Sequence, residues 1–407
     1  MRDAPLHVAY LVRYLPSPSE TFVLDEARAL AAIGVKVTIW TLDRVGGAVG
    51  HARFESMVAG AHVTPRPSRT AAWLATLALP GGPLLRRIRA HWSEQGRPRD
   101  FRRVAWLARA WQRARVDVVR IHHAAETARF GVAAATLGGV AASVAVHARD
   151  LFVPEPDLPW ILHHAGHVST ITPFHRERIL RIGLLPELVQ LLPCAVALPS
   201  SPAMPPDDWD RLRVLSVGRL VPKKGHDILL DACAALASAR RPVHLVLVGD
   251  GGEGARLRGK IHKLTGAHPH FTVDAPGSKP SEEVFDLLLR GGFHVFALAC
   301  RVADDGDRDG LPVSLLEAAA AGVPIVTTAM PGFESELSNG EGAALVPLDS
   351  DGAPQVSALA EAMARIQSAG RPPWKATSAV LRSAAARRAS PEEAARRLLR
   401  RLELLQM

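Results

Sequence analysis

The chain has 407 residues, 48% of them hydrophobic and 22% charged, enough for two ordinary globular domains and too apolar for a disordered chain. Apolar runs are broken well short of the ~20 residues a membrane span needs, and Met1–Leu6 carries no signal-peptide pattern, so a cytosolic protein is expected. Cys194, Cys233 and Cys300 lie far apart and form no C-x-x-C, so neither a disulfide framework nor a zinc site is indicated, and the net charge of +9 lies wholly in the first half: residues 1–195 hold 24 Lys+Arg against 15 Asp+Glu, the rest 25 against 25.

In chain order, short β-branched runs alternate with longer helical patterns. Strands are predicted at Leu6–Val12, Val35–Leu42, Val116–His122, Ser143–Ala148 and His167–Thr172, then at Arg213–Val217, Val243–Gly249, His270–Asp274, His294–Leu298 and Pro324–Thr328. Near-continuous apolar strands separated by helices imply parallel sheets covered on both faces. The expected fold is α/β with two doubly wound, Rossmann-like domains: residues 1–196, a Pro-rich linker at 197–210, residues 211–385, and a final helix within 386–407 that could pack back on the first domain. Ligands of such sheets bind at the carboxyl ends of the strands, which points to a site between the domains.

Between the second and third of these strands lies a basic amphipathic stretch. Leu84, Leu85, Ile88 and Trp92, then Phe101, Val104, Ala108 and Trp111, recur at helical spacing, with Arg86, Arg87, Arg89, Arg102, Arg103 and Arg109 elsewhere on the helices. The pattern suits helices lying on an anionic membrane surface, and it equally suits helices covering the first sheet.

In the second half, the strand Arg213–Val217 runs into Gly218-Arg219-Leu220-Val221-Pro222-Lys223-Lys224-Gly225. Glycines and cations on a strand-to-helix turn suit a diphosphate, because the backbone can approach closely and Arg219 and Lys224 supply charge-assisted hydrogen bonds. The next strand ends in Gly249-Asp250-Gly251-Gly252-Glu253-Gly254. This spells G-x-G-x-x-G, but a strand with its own phosphate-type turn precedes it and two acids lie within the loop, which disfavours a dinucleotide site. Further on, Asp309-Gly310-Leu311-Pro312-Val313 leads into a short helix ending at Gly322 and carrying Glu317 in an Ala/Leu run, where a charge without a partner is costly.

Taken together and in this order, these pieces resemble the large retaining GT-B glycosyltransferase family (group 1, family 4 type), in particular its bacterial exopolysaccharide members of the colanic acid type. The G-R-(x)4-K-G turn, the L-V-G-x-G loop and the acid-x7-E segment running into E-A-(x)3-G-x-P all occur, and Pro16-Ser17-Pro18-Ser19-Glu20-Thr21-Phe22 is similar to the family's P-x-x-S-E-T-F turn. The resemblance implies that Arg219 and Lys224 hold a nucleotide diphosphate, with Gly218, Gly249, Gly251, Gly310, Leu311, Pro312 and Val313 around the donor, Glu317 on the ribose and Asp309 on the donor sugar. His147-Ala148-Arg149-Asp150 resembles the family's H-x-x-D, whose His meets the sugar near the reacting carbon. Ser19, Glu20, Thr21, His122 and Asp150 are candidates for the acceptor side.

The chain departs from the family in three places: Asp309 stands where Glu is usual, the acid of the G-x-P-E segment is shifted at Gly332-Phe333-Glu334-Ser335-Glu336, and Ala195-Val196-Ala197 replaces G-V-D. The resulting expectation is a metal-independent hexosyltransferase without cofactor, taking a UDP- or GDP-sugar and acting on a saccharide or lipid-linked acceptor. It is placed in the cytoplasm, with attachment to the inner face of the membrane as an extension. The alternatives are glycosylation of a soluble small molecule and a catalytically weak carbohydrate- or nucleotide-binding scaffold. A nucleic-acid partner is not expected, because the basic charge comes without a recognised nucleic-acid motif.

Overall fold

The computed structural model describes residues 4–15, 21–43, 54–77, 79, 86, 88, 90, 100–335, 337, 342–388 and 390–407. The chain divides into two units, one of residues 1–171, 175–193 and 391–407, the other of residues 172–174 and 194–390.

In the first unit, strand β1 (His7–Val12) is followed by helix α1 (Thr21–Ala32), β2 (Lys36–Thr41), α2 (Glu55–Ala59), β3 (His62–Val63), α3 (Arg69–Leu77) and α4 (Phe101–Ala114). Then come β4 (Val118–His122), α5 (Glu126–Gly138), β5 (Ala141–Val146), α6 (Ala148–Phe152), α7 (Leu158–His164), β6 (His167–Thr170), α8 (Pro173–Leu180) and β7 (Val189–Leu191). The seven strands lie in the order β3-β2-β1-β4-β5-β6-β7, every pair parallel. β1, flanked on both sides, is buried along its whole length, as the two-sided burial of a doubly wound sheet requires. The short edge strands β3 and β7 give almost no apolar run, which is why they escape a reading of the sequence.

Helix α4 turns its apolar stripe inward: Phe101, Val104, Ala108 and Trp111 belong to the core with α5 and the sheet, and Ile88 joins them. Two of its arginines make contacts inside the unit. Arg103 donates to the Thr64 carbonyl oxygen and faces Asp43, while Arg109 donates to Gln112. The apolar stripe of α4 therefore serves as core. Leu84, Leu85, Arg87, Arg89 and Trp92 of the preceding stretch lie outside the described residues.

The second unit holds β8 (Leu212–Val217), α9 (His226–Ser238), β9 (Val243–Val248), α10 (Gly254–Ala267), β10 (Phe271–Gly277), α11 (Ser281–Arg290) and β11 (Val295–Leu298). It continues with α12 (Val313–Ala321), β12 (Ile325–Thr328), β13 (Ala343–Val346), α13 (Val356–Ala369) and α14 (Arg371–Ala386). The sheet order is β10-β9-β8-β11-β12-β13, again all parallel. The Pro-rich stretch 197–210 is fixed on this unit rather than loose. Arg382 donates to the carbonyls of Pro199 and Ser201, Ala203 N–H to Ala321, Met204 N–H to Leu289, and Gln367 to Trp209.

The last helix, α15 (Pro391–Leu404), belongs to the first unit, where Ala395, Leu398 and Leu402 share a core with Val23, Leu24, Ala27 and Leu30 of α1. Gln190 donates to the Arg397 carbonyl and Gln406 to that of Asp117, so the chain's end is tied to β7 and to the entrance of β4. Among the described residues, no helix is long and apolar enough to cross a membrane.

Candidate active site

In the second unit the site grows from the carboxyl end of β8. Gly218 N–H bonds to Val248, Leu220 N–H to Asp250, and Glu253 N–H to Leu220, which laces the turn after β8 to the loop after β9. Gly249 has φ 153, and a Cβ there would collide with the Gly218 carbonyl oxygen. Glycine is required because two backbones touch, and the same holds at Gly225, where a Cβ would strike the Ala299 carbonyl. Gly251 lies against Leu220 in the same manner. The close packing of these loops accounts for Gly249 and Gly251, the first two glycines of the G-x-G-x-x-G spelling, without a dinucleotide.

The cations of this turn behave differently from one another. Arg219 is exposed, whereas Lys223 and Lys224 are buried on a 3-10 turn that ends at Gly225. Lys224 lays its aliphatic chain across Gly218 and sets Nζ 3.0 Å from Asp309 Oδ2. Lys223 Nζ lies 3.0 Å from Asp307 Oδ1 and 3.7 Å from Asp309 Oδ1. Burial alone would push the Asp309 carboxyl up, but the two ammonium groups outweigh it and hold it below the usual carboxylate range. Cys300, at the end of β11, points its thiol at Asp309 Oδ2 (3.6 Å); burial and that carboxylate push the thiol up, so it stays protonated and donates. His226 is pushed down to about 4 by burial and by Lys224; it is neutral, and its Nε2–H donates to the Arg219 carbonyl.

Gly310, Leu311 and Pro312 form a buried lead into α12, with Val313 as its first residue and Glu317 half-buried one turn on. Ser314 of α12 donates to the Val217 carbonyl, pinning this helix to the end of β8. The structure thus brings Gly218, Lys224, Gly249, Gly251 and Asp309 together. Lys223, Asp307 and Cys300 join them, although the motif names only the second lysine and the second acid. A separate cavity of about 560 Å³ beside α11, lined by Arg213, His244, Asp274, Lys279 and Phe293 among others, shares no residue with this cluster.

In the first unit a second cluster sits at the carboxyl ends of β4 and β5. His147 caps α6: its backbone N–H donates to Asp150 Oδ2 (2.8 Å), and its side chain accepts the Asp150 N–H in return. His147 Nε2 is 3.2 Å from His122 Nδ1, and His122 Nε2 is 3.0 Å from Glu26 Oε1. Arg120, 1% exposed on β4, donates Nε and Nη2 to the two oxygens of Glu26, and Tyr10 donates its hydroxyl to the same carboxylate. Burial would raise Glu26, but Arg120 and His122 hold it well below the usual carboxylate range. Burial pushes His122 down, and burial with the neighbouring His123 and His122 pushes His147 down further, so both imidazoles are neutral. Burial raises Asp150 against the pull of His123.

In this cluster, Glu26 and Arg120 are the residues that the sequence did not point to. A signal existed for Arg120, since a charge inside the apolar run Val118-Val119-Arg120-Ile121 must find a partner. Glu26 gives none, as a Glu on an amphipathic helix is ordinary. Ser19 and Glu20 lie outside the described residues, and Thr21 opens α1.

Residues 205–371 match the family model of glycosyl transferases group 1. The WcaL protein of Salmonella typhimurium, assigned to colanic acid biosynthesis as a glycosyltransferase, is 26% identical over 379 residues, 88% of this chain and 90% of its own. The amylovoran biosynthesis glycosyltransferase AmsK of Erwinia amylovora is 32% identical over 136 residues, a third of each chain (33% and 32%). Among solved structures, HepE of Anabaena in complex with UDP and glucose superposes with a TM-score of 0.70 at 16% identity, covering 97% of this chain and 99% of HepE. The fold is GT-B, and the match to the group 1 model lies within the second unit.

Proposed function

We propose that this chain is a glycosyltransferase of group 1 that moves a hexosyl group with retention of configuration from a nucleotide-diphosphate sugar to a saccharide or lipid-linked acceptor in the synthesis of a surface polysaccharide. The observation that carries the reading is the Lys224–Asp309 pair on the glycine-rich turn after β8. Fixed cations on a strand-to-helix turn are suited to a leaving diphosphate, whose charge grows as the glycosidic bond breaks. Arg219, exposed on the same turn, is placed to join Lys224 at that charge. Asp309, kept ionised, accepts hydrogen bonds from sugar hydroxyls, and Glu317 serves the ribose.

Of the UDP- and GDP-sugars expected, the solved complex of HepE with UDP-glucose favours the first, and the assignment of WcaL to colanic acid biosynthesis favours a polymeric acceptor. His147 of the first unit is assigned to the transferring sugar. Because its ring is held neutral, it acts by position and hydrogen bonding rather than as a cation. No general base is assigned. Among the described residues no cluster of three or more His, Cys, Asp or Glu side chains could hold a metal, and the proposed chemistry places the departing charge on lysine and arginine.

The test is the stereochemistry of the product. Incubating the chain with an α-linked nucleotide sugar and a saccharide acceptor should give an α-glycoside by the anomeric proton coupling, whereas a β-glycoside would overturn retention.

A further inference from the structure

The hydrogen bonds around Glu26 run in one direction only. Its carboxylate, paired in two bonds with Arg120 at 3.0 and 3.1 Å and receiving the Tyr10 hydroxyl at 2.8 Å, is ionised and can only accept. The facing nitrogen, His122 Nε2, must therefore carry hydrogen. A neutral imidazole has one N–H, so His122 Nδ1 is a bare lone pair. The nitrogen 3.2 Å from it, His147 Nε2, must then be the donor, which leaves His147 Nδ1 to accept the Asp150 N–H at the start of α6.

The chain is braced on every side. Arg120 Nη1 donates to Ser143 Oγ, and Ser143 Oγ lies in hydrogen-bond contact, at 2.8 Å, with Nδ1 of His167, an imidazole pushed down to about 3 by burial and so neutral. Phe22 packs its ring on both relay histidines, with centroids 5.5 Å from His122 and 5.3 Å from His147. Neither ring can turn over without breaking a part-buried hydrogen bond.

We propose that Glu26 is a positioning residue for glycosyl transfer: acting through His122, it fixes His147 as an uncharged imidazole protonated on Nε2 and accepting on Nδ1. This rests on the reading that His147 meets the transferring sugar. The sugar carbon becomes electron-poor as the diphosphate leaves, so an imidazolium beside it would oppose the transition state while a neutral, immobile ring does not. Arg120 then serves to keep Glu26 ionised at the head of the relay, and the sheet supplies the rigidity that a catalytic ring requires.

The experiment combines ring 15N NMR of the full chain, labelled at histidine, with turnover of UDP-glucose, UDP-N-acetylglucosamine and GDP-mannose. In the unaltered chain at pH 7.5, His147 should show a protonated Nε2 and a bare Nδ1. His122→Phe keeps the Glu26–Arg120 pair but cuts the relay. It should release the tautomer preference of His147 and lower kcat about tenfold or more, with KM for the nucleotide sugar within about twofold. His122→Gln, whose amide can both donate to Glu26 and accept from His147, should recover much of the loss. A His147 protonated on Nδ1 or on both nitrogens in the unaltered chain, or a His122→Phe variant with unchanged kcat, would overturn the proposal. If no nucleotide sugar is turned over, the reading of function fails, while the ring signals still decide whether the relay exists.

Discussion

Nζ of Lys224 lies 3.0 Å from Oδ2 of Asp309, and both side chains are largely withdrawn from solvent. A buried pair of this kind is costly to break from one side, because the remaining charge is left without a partner. The same lysine is the cation that the proposed diphosphate would meet, so its structural and chemical roles can be separated by choice of variant.

Arg219 is exposed, so Arg219→Ala should leave the melting temperature within about 1 °C, as a surface change does, and lower kcat by roughly 100-fold. Lys224→Ala should lower kcat at least as far and also destabilise the second unit, by about 3 kcal/mol or more, because Asp309 loses its nearest counter-charge. Calorimetry beside a turnover assay checks both. Equal stability of the two variants would contradict the buried-pair account, and normal turnover in both would contradict the diphosphate assignment.

Asp309→Glu restores the longer acid of the related motif in a space now bounded by Lys223, Lys224 and Cys300. The expected outcome is retained nucleotide affinity with a changed ranking of donor sugars, since an added methylene moves the carboxylate relative to the sugar hydroxyls. Competition between pairs of nucleotide sugars reads this, and an unchanged ranking would remove Asp309 from sugar selection.

Stability should fall as pH drops below about 6.5. His167 is pushed down to about 3 by burial, and His175, His226 and His294 to about 4, so these rings stay neutral in the fold where the unfolded chain takes up protons. A depressed histidine pKa means that stability is fully present above the unfolded value and is lost between 6.5 and the folded value, at up to ~1.4 kcal/mol per pH unit for each ring. His167 and His175 belong to the first unit and His226 and His294 to the second, so both weaken. Urea unfolding at pH 7.5, 6.5 and 5.5 should show the decline before the depressed carboxylates titrate. A flat profile would mean that these rings are reached by water in the fold.

Much of this was legible in the sequence, for reasons that can be named. The ten predicted strands are short, mostly apolar β-branched runs, and each appears in one of the two parallel sheets, with ends shifted by a few residues. β3, β7 and β13 were not predicted: the first two are two and three residues long, and Ala343–Val346 is a four-residue run with little to mark it. The G-R-(x)4-K-G turn pointed to Lys224 and Gly218, but a motif cannot show that Lys223 and Asp307 form a second ion pair beside it. Glu26 was hidden because its partners, Arg120 and His122, are about 95 residues away in sequence and meet it only once α1 packs on β4.

The arginines of the first half lead to a prediction about surfaces. The apolar stripe of α4 is core, so the attraction of that helix to an anionic leaflet must come from charge, at about 1 kcal/mol per surface arginine and screened by salt. Vesicles rich in anionic lipid should bind the chain at low salt and release it near 0.5 M, a concentration at which such screening is nearly complete. Reversing Arg86, Arg87 and Arg89 to Glu should abolish binding without altering nucleotide-sugar affinity. Absence of binding at low salt would favour a soluble acceptor.

The central claim is that the turn after β8 receives a nucleotide diphosphate carrying a sugar. Titrating the chain with UDP-, GDP- and TDP-sugars while following its thermal transition tests this most directly. At ~100 times its dissociation constant a true donor stabilises the fold by about 2.7 kcal/mol, which is several degrees for a domain of this size. Such a shift is expected with at least one nucleotide sugar, and its loss in Lys224→Ala. No shift with any of them in the unaltered chain would contradict it.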